Sequence, residues 1–201
     1  MPRRSASQVH ADRARTLRAA VDIASVVGLE GLTIGRLAET LGMSKSGLVG
    51  RFGSKEQLQL ATLDLAVDIF RAAVYEPAAT APAGRARLLA ICEHWIDYLG
   101  EPCLPGGCFL TTAAIEFDAR EGAVHDAVKR ALRRWLRVLQ VEAAAAVSAG
   151  ELPRESDPAE VAFTLNALAV GTNCDYQLHR DARALQRGRR AMGAVLVEAG
   201  R

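Results

Sequence analysis

The chain has 201 residues, 50% of them hydrophobic and 24% charged, a composition able to bury a full core either as one domain or as a small domain joined to a larger one. Lys and Arg exceed Asp and Glu by only 25 to 23, yet residues 1–57 hold nine basic and five acidic side chains, so a basic N-terminal quarter suited to a polyanion precedes a slightly acidic body. No run reaches the roughly 18 uncharged apolar residues of a membrane helix, and the N-terminus lacks the apolar centre of a signal peptide, so no membrane-spanning helix is expected and a cytoplasmic location is predicted.

Apolar residues recur at helical spacing almost throughout, and no segment keeps the two-residue period of a strand, so the fold class expected is all-α with roughly nine helices. The first helix carries Leu17, Ala20, Val21, Ala24 and Val27 on one stripe, and Gly28 is placed for a left-handed cap with Leu29 as its apolar partner. A second, short helix runs from a Thr33 cap through Ile34, Leu37, Ala38 and Leu41 and stops at Gly42. Ser44 then caps a third short helix whose Leu48 and Phe52 face inward. The sequence Ser54-Lys55-Glu56-Gln57 is a capping box that opens a fourth helix, apolar over most of its circumference up to Tyr75.

Beyond Tyr75, the segments "EPAATAPAG", "GEPCLPGGC", "DAREG" and "AGELPRESDP" carry the Gly and Pro punctuation of loops. Asp157-Pro158-Ala159-Glu160 is a helix start, with a cap, a proline in the first turn and a carboxylate at the positive end of the dipole. On the helix from about Pro158 to His179, Val161, Leu165, Leu168, Thr172 and Tyr176 lie on one side. Phe163, Asn166, Val170, Asn173 and Gln177 lie on the other, where two asparagines need partners. The last helix aligns Leu185, Met192, Val195, Leu196 and Ala199 between arginines.

Residues 34–52 are thus two short helices joined by a tight turn, the description of a helix-turn-helix whose second helix enters the DNA major groove. Ala38 is small where the helices would cross, Gly42 can take the left-handed turn, and Leu37, Leu41 and Leu48 can share a core. Lys45, Ser46, Val49 and Arg51 lie on other faces and can point toward DNA. Gly47 and Gly50 each cost about 1 kcal/mol of helix propensity, which close approach of the backbone to DNA would offset. The Ser44 end offers amides and a positive dipole to a phosphate, and Lys55 is placed to neutralise a second one.

The run "GLEGLTIGRLAETLGMSKSGLVGRFGSKEQL", residues 28–58, resembles the DNA-binding segment of TetR-type transcriptional regulators, with a glycine after the first helix, a Thr before the second, "LA..LG.S...L" through the turn and "F.SKE.L" into the fourth helix. The resemblance implies an all-helical homodimer on a roughly palindromic double-stranded operator, usually a repressor released by a small molecule. It implies a DNA-binding domain over residues 1–57, a sensing and dimerisation domain over 58–201, and a dimer interface made by the last two helices. The DNA-facing set it marks is Thr33, Ser44, Lys45, Ser46, Gly47, Val49, Arg51 and Lys55. Two positions depart from the family pattern. Val49 stands where a phosphate-contacting tyrosine is common and cannot donate to phosphate. Arg51 stands where a histidine is frequent and could replace the charge or read a guanine edge. Arg3 and Arg4 form either an arm toward the DNA or a solvated terminus.

For the C-terminal body, Trp95, Phe109, Thr112, Phe117, Trp135, Asn166 and Asn173 are the candidate ligand contacts, since mostly apolar walls with a few polar groups suit a small-molecule cavity. The effector itself is not specified. Cys92, Cys103, Cys108 and Cys174 lack zinc-ligand spacing and read as free thiols, with the Cys103–Cys108 turn open to a redox-sensing role. His94, His125 and His179 have no metal-binding partner at helical spacing. No phosphate-cradling loop, nucleophile elbow or acid-base motif occurs, so neither an enzyme nor a cofactor is expected. The alternative reading is a small-molecule-binding or scaffold protein on the same fold without DNA binding.

Overall fold

The computed structural model describes residues 6–100 and 103–197, so Arg3, Arg4 and Ala199 lie outside the described residues. Among these, nine helices and no strand are found: α1 (Ala6–Val27), α2 (Ile34–Leu41), α3 (Lys45–Phe52), α4 (Lys55–Phe70), α5 (Arg85–Gly100), α6 (Phe109–Phe117), α7 (Ala123–Ser148), α8 (Pro158–His179) and α9 (Ala182–Val197). The expected all-α architecture is present. Where the sequence predicts a break directly after Tyr75, α4 continues as a π turn, Arg71–Tyr75, and one further α turn, Glu76–Ala78. Pro77 is the physical reason for the widened turn. Its ring would clash with the carbonyl four residues back in a regular helix, and the longer hydrogen-bonding span relieves that.

By backbone proximity the chain forms two compact units, one from Met1–Val67 with Leu104–Val128, the other from Asp68–Cys103 with Lys129–Arg201. In the first unit α1 buries Thr16, Ala20, Val21, Ala24 and Ser25. The stripe is rotated from the expected one. Leu17 is half-buried and Val27 exposed, while Thr16 and Ser25 go inside because their hydroxyls bond back to the carbonyls of Asp12 (2.6 Å) and Asp22 (2.8 Å). Leu29, Leu32, Leu37, Leu48, Leu58 and Leu63 are fully buried and form the centre of this unit. At residue scale burying such a side chain is worth about 1.5–3 kcal/mol, which outweighs the poor helix propensity of the glycines in α3.

The second unit is built on an aromatic cluster. Phe70, Trp95, Tyr98 and Trp135 pack edge to face with centroids 4.8–5.7 Å apart. Beside it, α8 and α9 pack closely because Gly188 has no side chain: a Cβ there would fall 2.3 Å from Thr172 Oγ1. Buried Glu142 accepts hydrogen bonds from Arg87 (3.0 Å) and from the Gly84 amide (2.9 Å), so its charge is paired rather than stranded. The α8 start is as expected, with Asp157 accepting from the Ala159 amide at 2.8 Å and Pro158 in the first turn.

Candidate nucleic-acid interface

The turn between α2 and α3 follows from three local rules. The Thr33 side chain accepts from the Arg36 amide (3.1 Å) and starts α2. Gly42 ends it in the left-handed region (φ 60°, ψ 32°), with the Met43 amide reaching back to the Ala38 carbonyl at 2.9 Å. Ser44 then accepts from the Gly47 amide (3.2 Å) and starts α3. Leu37, Ala38, Leu48 and Phe52 are buried and fix the two helices on one core, with Leu41 half-buried at its edge. Of the capping box that opens α4, only the serine half forms: Ser54 Oγ accepts from the Gln57 amide (3.1 Å), while the Ser54 amide bonds to the Phe52 carbonyl (2.9 Å).

The sequence-marked side chains divide into two groups. Thr33, Ser44, Lys45, Ser46, Gly47 and Val49 are exposed, Val49 at 45% despite being apolar. The Lys45 stem lies over Gly35, where a Cβ would meet its Cε at 3.4 Å. Arg51 turns the other way. Its Nη1 donates to Thr16 Oγ1 at 3.5 Å and its Nη2 lies 3.9 Å from Asp12, both on α1. Lys55 Nζ donates to Glu30 at 2.6 Å. The Gln59 amide also reaches Glu30 (3.3 Å), and Arg120 lies 3.8 Å away. The hydrogen bond from Lys55 holds the Glu30 carboxyl below the ordinary carboxylate range, against a smaller opposing effect of desolvation.

Two structural contributors are invisible in the local pattern. Glu116, on α6, accepts from the Leu29 and Glu30 amides at 2.7 and 3.0 Å and so supports the loop that leads into α2. The Arg13 guanidinium stacks over the Phe52 ring at 5.2 Å. Each joins residues far apart in sequence, and no spacing rule could have signalled them.

The candidate ligand contacts are drawn from both units. Phe109, Thr112 and Phe117 belong to the first unit, and Trp95, Trp135, Asn166 and Asn173 to the second. Trp95 and Trp135 touch edge to face at 4.9 Å, and the indole N–H of each is buried without a hydrogen-bond partner. Asn173 is buried and Asn166 half-buried, but Phe163, expected on their side of α8, is 71% exposed. A depression of about 380 Å³ in this unit is lined by Arg137, Gln140, Val141, Ala144, Asp157, Pro158 and Ala159, none of them a sequence-marked contact. Among the described residues, no group of three His, Cys, Asp or Glu side chains is arranged to hold a metal ion, and no helix is long and apolar enough to cross a membrane. His179 instead shares Asp175 with Arg187, at 2.9 and 2.7 Å.

A capped helix-turn-helix in one unit and a purely helical second unit define a helix-turn-helix transcriptional regulator. Residues 17–62 match the family model of bacterial regulatory proteins of the tetR family, and residues 84–192 match that of the tetracyclin repressor-like C-terminal domain. The chain belongs to the TetR family, which is one of regulators and not of enzymes. Among solved structures, a TetR transcriptional regulator from Chloroflexus aurantiacus is 24% identical, with a TM-score of 0.84 over 92% of this chain and 93% of that one. A cysteine-substituted CifR bound to 26-bp double-stranded operator DNA is 22% identical (TM-score 0.78, over 96% and 98%). AibR in complex with isovaleryl coenzyme A and operator DNA is 19% identical (TM-score 0.72, over 92% and 97%). No curated protein is significantly similar in sequence.

Proposed function

We propose that the protein is a cytoplasmic, homodimeric repressor that is released from its operator by a small molecule. The carrying observation is the Thr33–Gly42–Ser44 framework, which leaves the outer face of α3 exposed within a chain whose family models span both units. DNA reading is assigned to residues 1–57, through Thr33, Ser44, Lys45, Ser46, Gly47, Val49, Arg51 and Lys55, and sensing and pairing to 58–201. That functional division differs from the division by backbone proximity, because residues 58–67 and 104–128 group with the first unit. The complexes of CifR with operator DNA and of AibR with isovaleryl coenzyme A and operator DNA support the reading by analogy of fold.

Pairing is supported by α8. Phe163, Ala167, Gly171, Cys174 and Leu178 are all exposed and lie along one side at spacings of three, four and seven residues, and the neighbouring groove of about 240 Å³ against α9 is floored by small residues. For the effector, Trp95, Phe109, Thr112, Phe117, Trp135, Asn166 and Asn173 remain the assigned contacts. The two unsatisfied indole donors call for a molecule that offers acceptors.

Selection of duplexes from a random library by the purified full chain tests the reading. It predicts enrichment of an inverted repeat, bound with an affinity that falls steeply with salt as phosphate contacts release counterions. Enrichment of no sequence over random duplex would remove it. The scaffold alternative draws on the intramolecular pairing of Arg51 and Lys55. Unchanged DNA affinity after joint replacement of Lys45, Arg51 and Lys55 by alanine would favour that alternative.

A further inference from the structure

We propose that Val49 reads the 5-methyl group of a thymine in the operator's major groove, and that this apolar contact is a sequence-determining feature of the recognition helix. The inference rests on the reading of α3 as a DNA-binding element given above.

Its first support is the inventory of the exposed face. Ser46, Val49 and Gly50 follow at i, i+3 and i+4 on α3 and are all exposed. Ser46 offers one hydroxyl, already within 3.4 Å of Ser44 Oγ. Gly50 offers no side chain, and nothing lies within 4 Å of where its Cβ would stand, so packing does not demand glycine there by closeness. Its effect is to clear the space around Val49, whose isopropyl group is the largest side chain on this stripe.

The second support is where the charged side chains go. An arginine or lysine would ordinarily read guanine O6 and N7. Here Arg51, directed to Thr16 and Asp12 on α1, and Lys45, whose stem runs along Gly35 on α2, both leave α3 on faces other than this stripe, so any contact they make with DNA is beside Val49 and not in its place. Apart from the Ser46 hydroxyl, the stripe is left with a side chain that has neither donor nor acceptor. Phosphate, sugar hydroxyl-free backbone and the polar base edges give such a group nothing to bind. The thymine methyl is the apolar feature of the major groove, and valine is of a size to cover it. Burying Val49 there also removes from water an apolar side chain that the fold leaves 45% exposed.

The test uses duplexes selected by the full-length chain, remade with deoxyuridine in place of each thymine in turn, which deletes only the methyl. At one position of the half-site, wild-type protein is expected to bind the deoxyuridine duplex about fourfold more weakly, the effect of one buried methyl. Val49→Ala should bind the two duplexes equally at that position. Because Val49 is exposed, this variant should keep its helix content and melting temperature, which circular dichroism checks. The inference is overturned if no thymine shows the penalty, or if the penalty is equally large in Val49→Ala. Either result leaves a selected, specific duplex in hand and so leaves the regulator reading intact, whereas failure to select any duplex overturns both.

Discussion

Arg51 and Lys55 have the chemistry of phosphate and base contacts, and both spend it within the protein, on Thr16 and Asp12 and on Glu30. For Arg51 this predicts a stability role: Arg51→Met should lose about 0.5–1 kcal/mol and lower the melting temperature by about 1–4 °C in a chain of this size. Glu30 gives a pH prediction. Its carboxyl titrates lower in the folded protein than in the unfolded chain, chiefly through the Lys55 hydrogen bond. Its contribution to stability is therefore present above the ordinary carboxylate range and disappears as the pH falls through the depressed folded value. Urea midpoints of wild type and Lys55→Met should differ at neutral pH and converge in acid; a difference that persists at low pH would contradict the assignment. Cys92 is a simpler case. Burial pushes its thiol up to about 12, so a thiol reagent at pH 8 should leave it unlabelled until the protein unfolds.

At the scale of elements, the loop between α1 and α2 depends on α6, because the Glu116 carboxylate takes the Leu29 and Glu30 amides. Removing it in Glu116→Ala leaves two partly buried donors unsatisfied and should cost about 1–3 kcal/mol, read from denaturant unfolding, with faster hydrogen exchange at those two amides. The α8–α9 crossing makes a second claim at this scale. Gly188→Ala would place a methyl 2.3 Å from Thr172 Oγ1, too close to be absorbed without a shift. The expected loss is about 1–3 kcal/mol, to be measured by thermal melting. The α2–turn–α3 element was legible in advance, since Thr33, Gly42 and Ser44 each act within four residues of themselves. The buried stripe of α1 was not: apolarity favoured Leu17 and Val27, but Thr16 and Ser25 could be buried once their hydroxyls were satisfied by the helix itself.

For the whole molecule, the exposed side of α8 makes pairing measurable. If Phe163, Ala167, Gly171, Cys174 and Leu178 form the seam between two copies, the double variant Phe163→Glu with Leu178→Glu should reduce the particle in sedimentation to the mass of one 21.5 kDa chain. Cys174 should then react faster with a thiol reagent than it does in wild type. DNA affinity should fall as well, because one copy can hold only one half-site. A variant that remains a dimer would place the interface elsewhere.

By itself the sequence determined the helical class, the main helix starts and stops, and the helix-turn-helix, because caps, left-handed glycines and apolar periodicity act through hydrogen bonds and packing between near neighbours. It could not determine where the charges of Arg51 and Lys55 go, that Glu116 supports a loop 86 residues away, or that on α8 Phe163 faces outward while Asn173 is buried. Those outcomes depend on which helix surfaces meet. Only the folded chain brings distant residues within reach, and there a charge settles on whichever partner the packing places beside it.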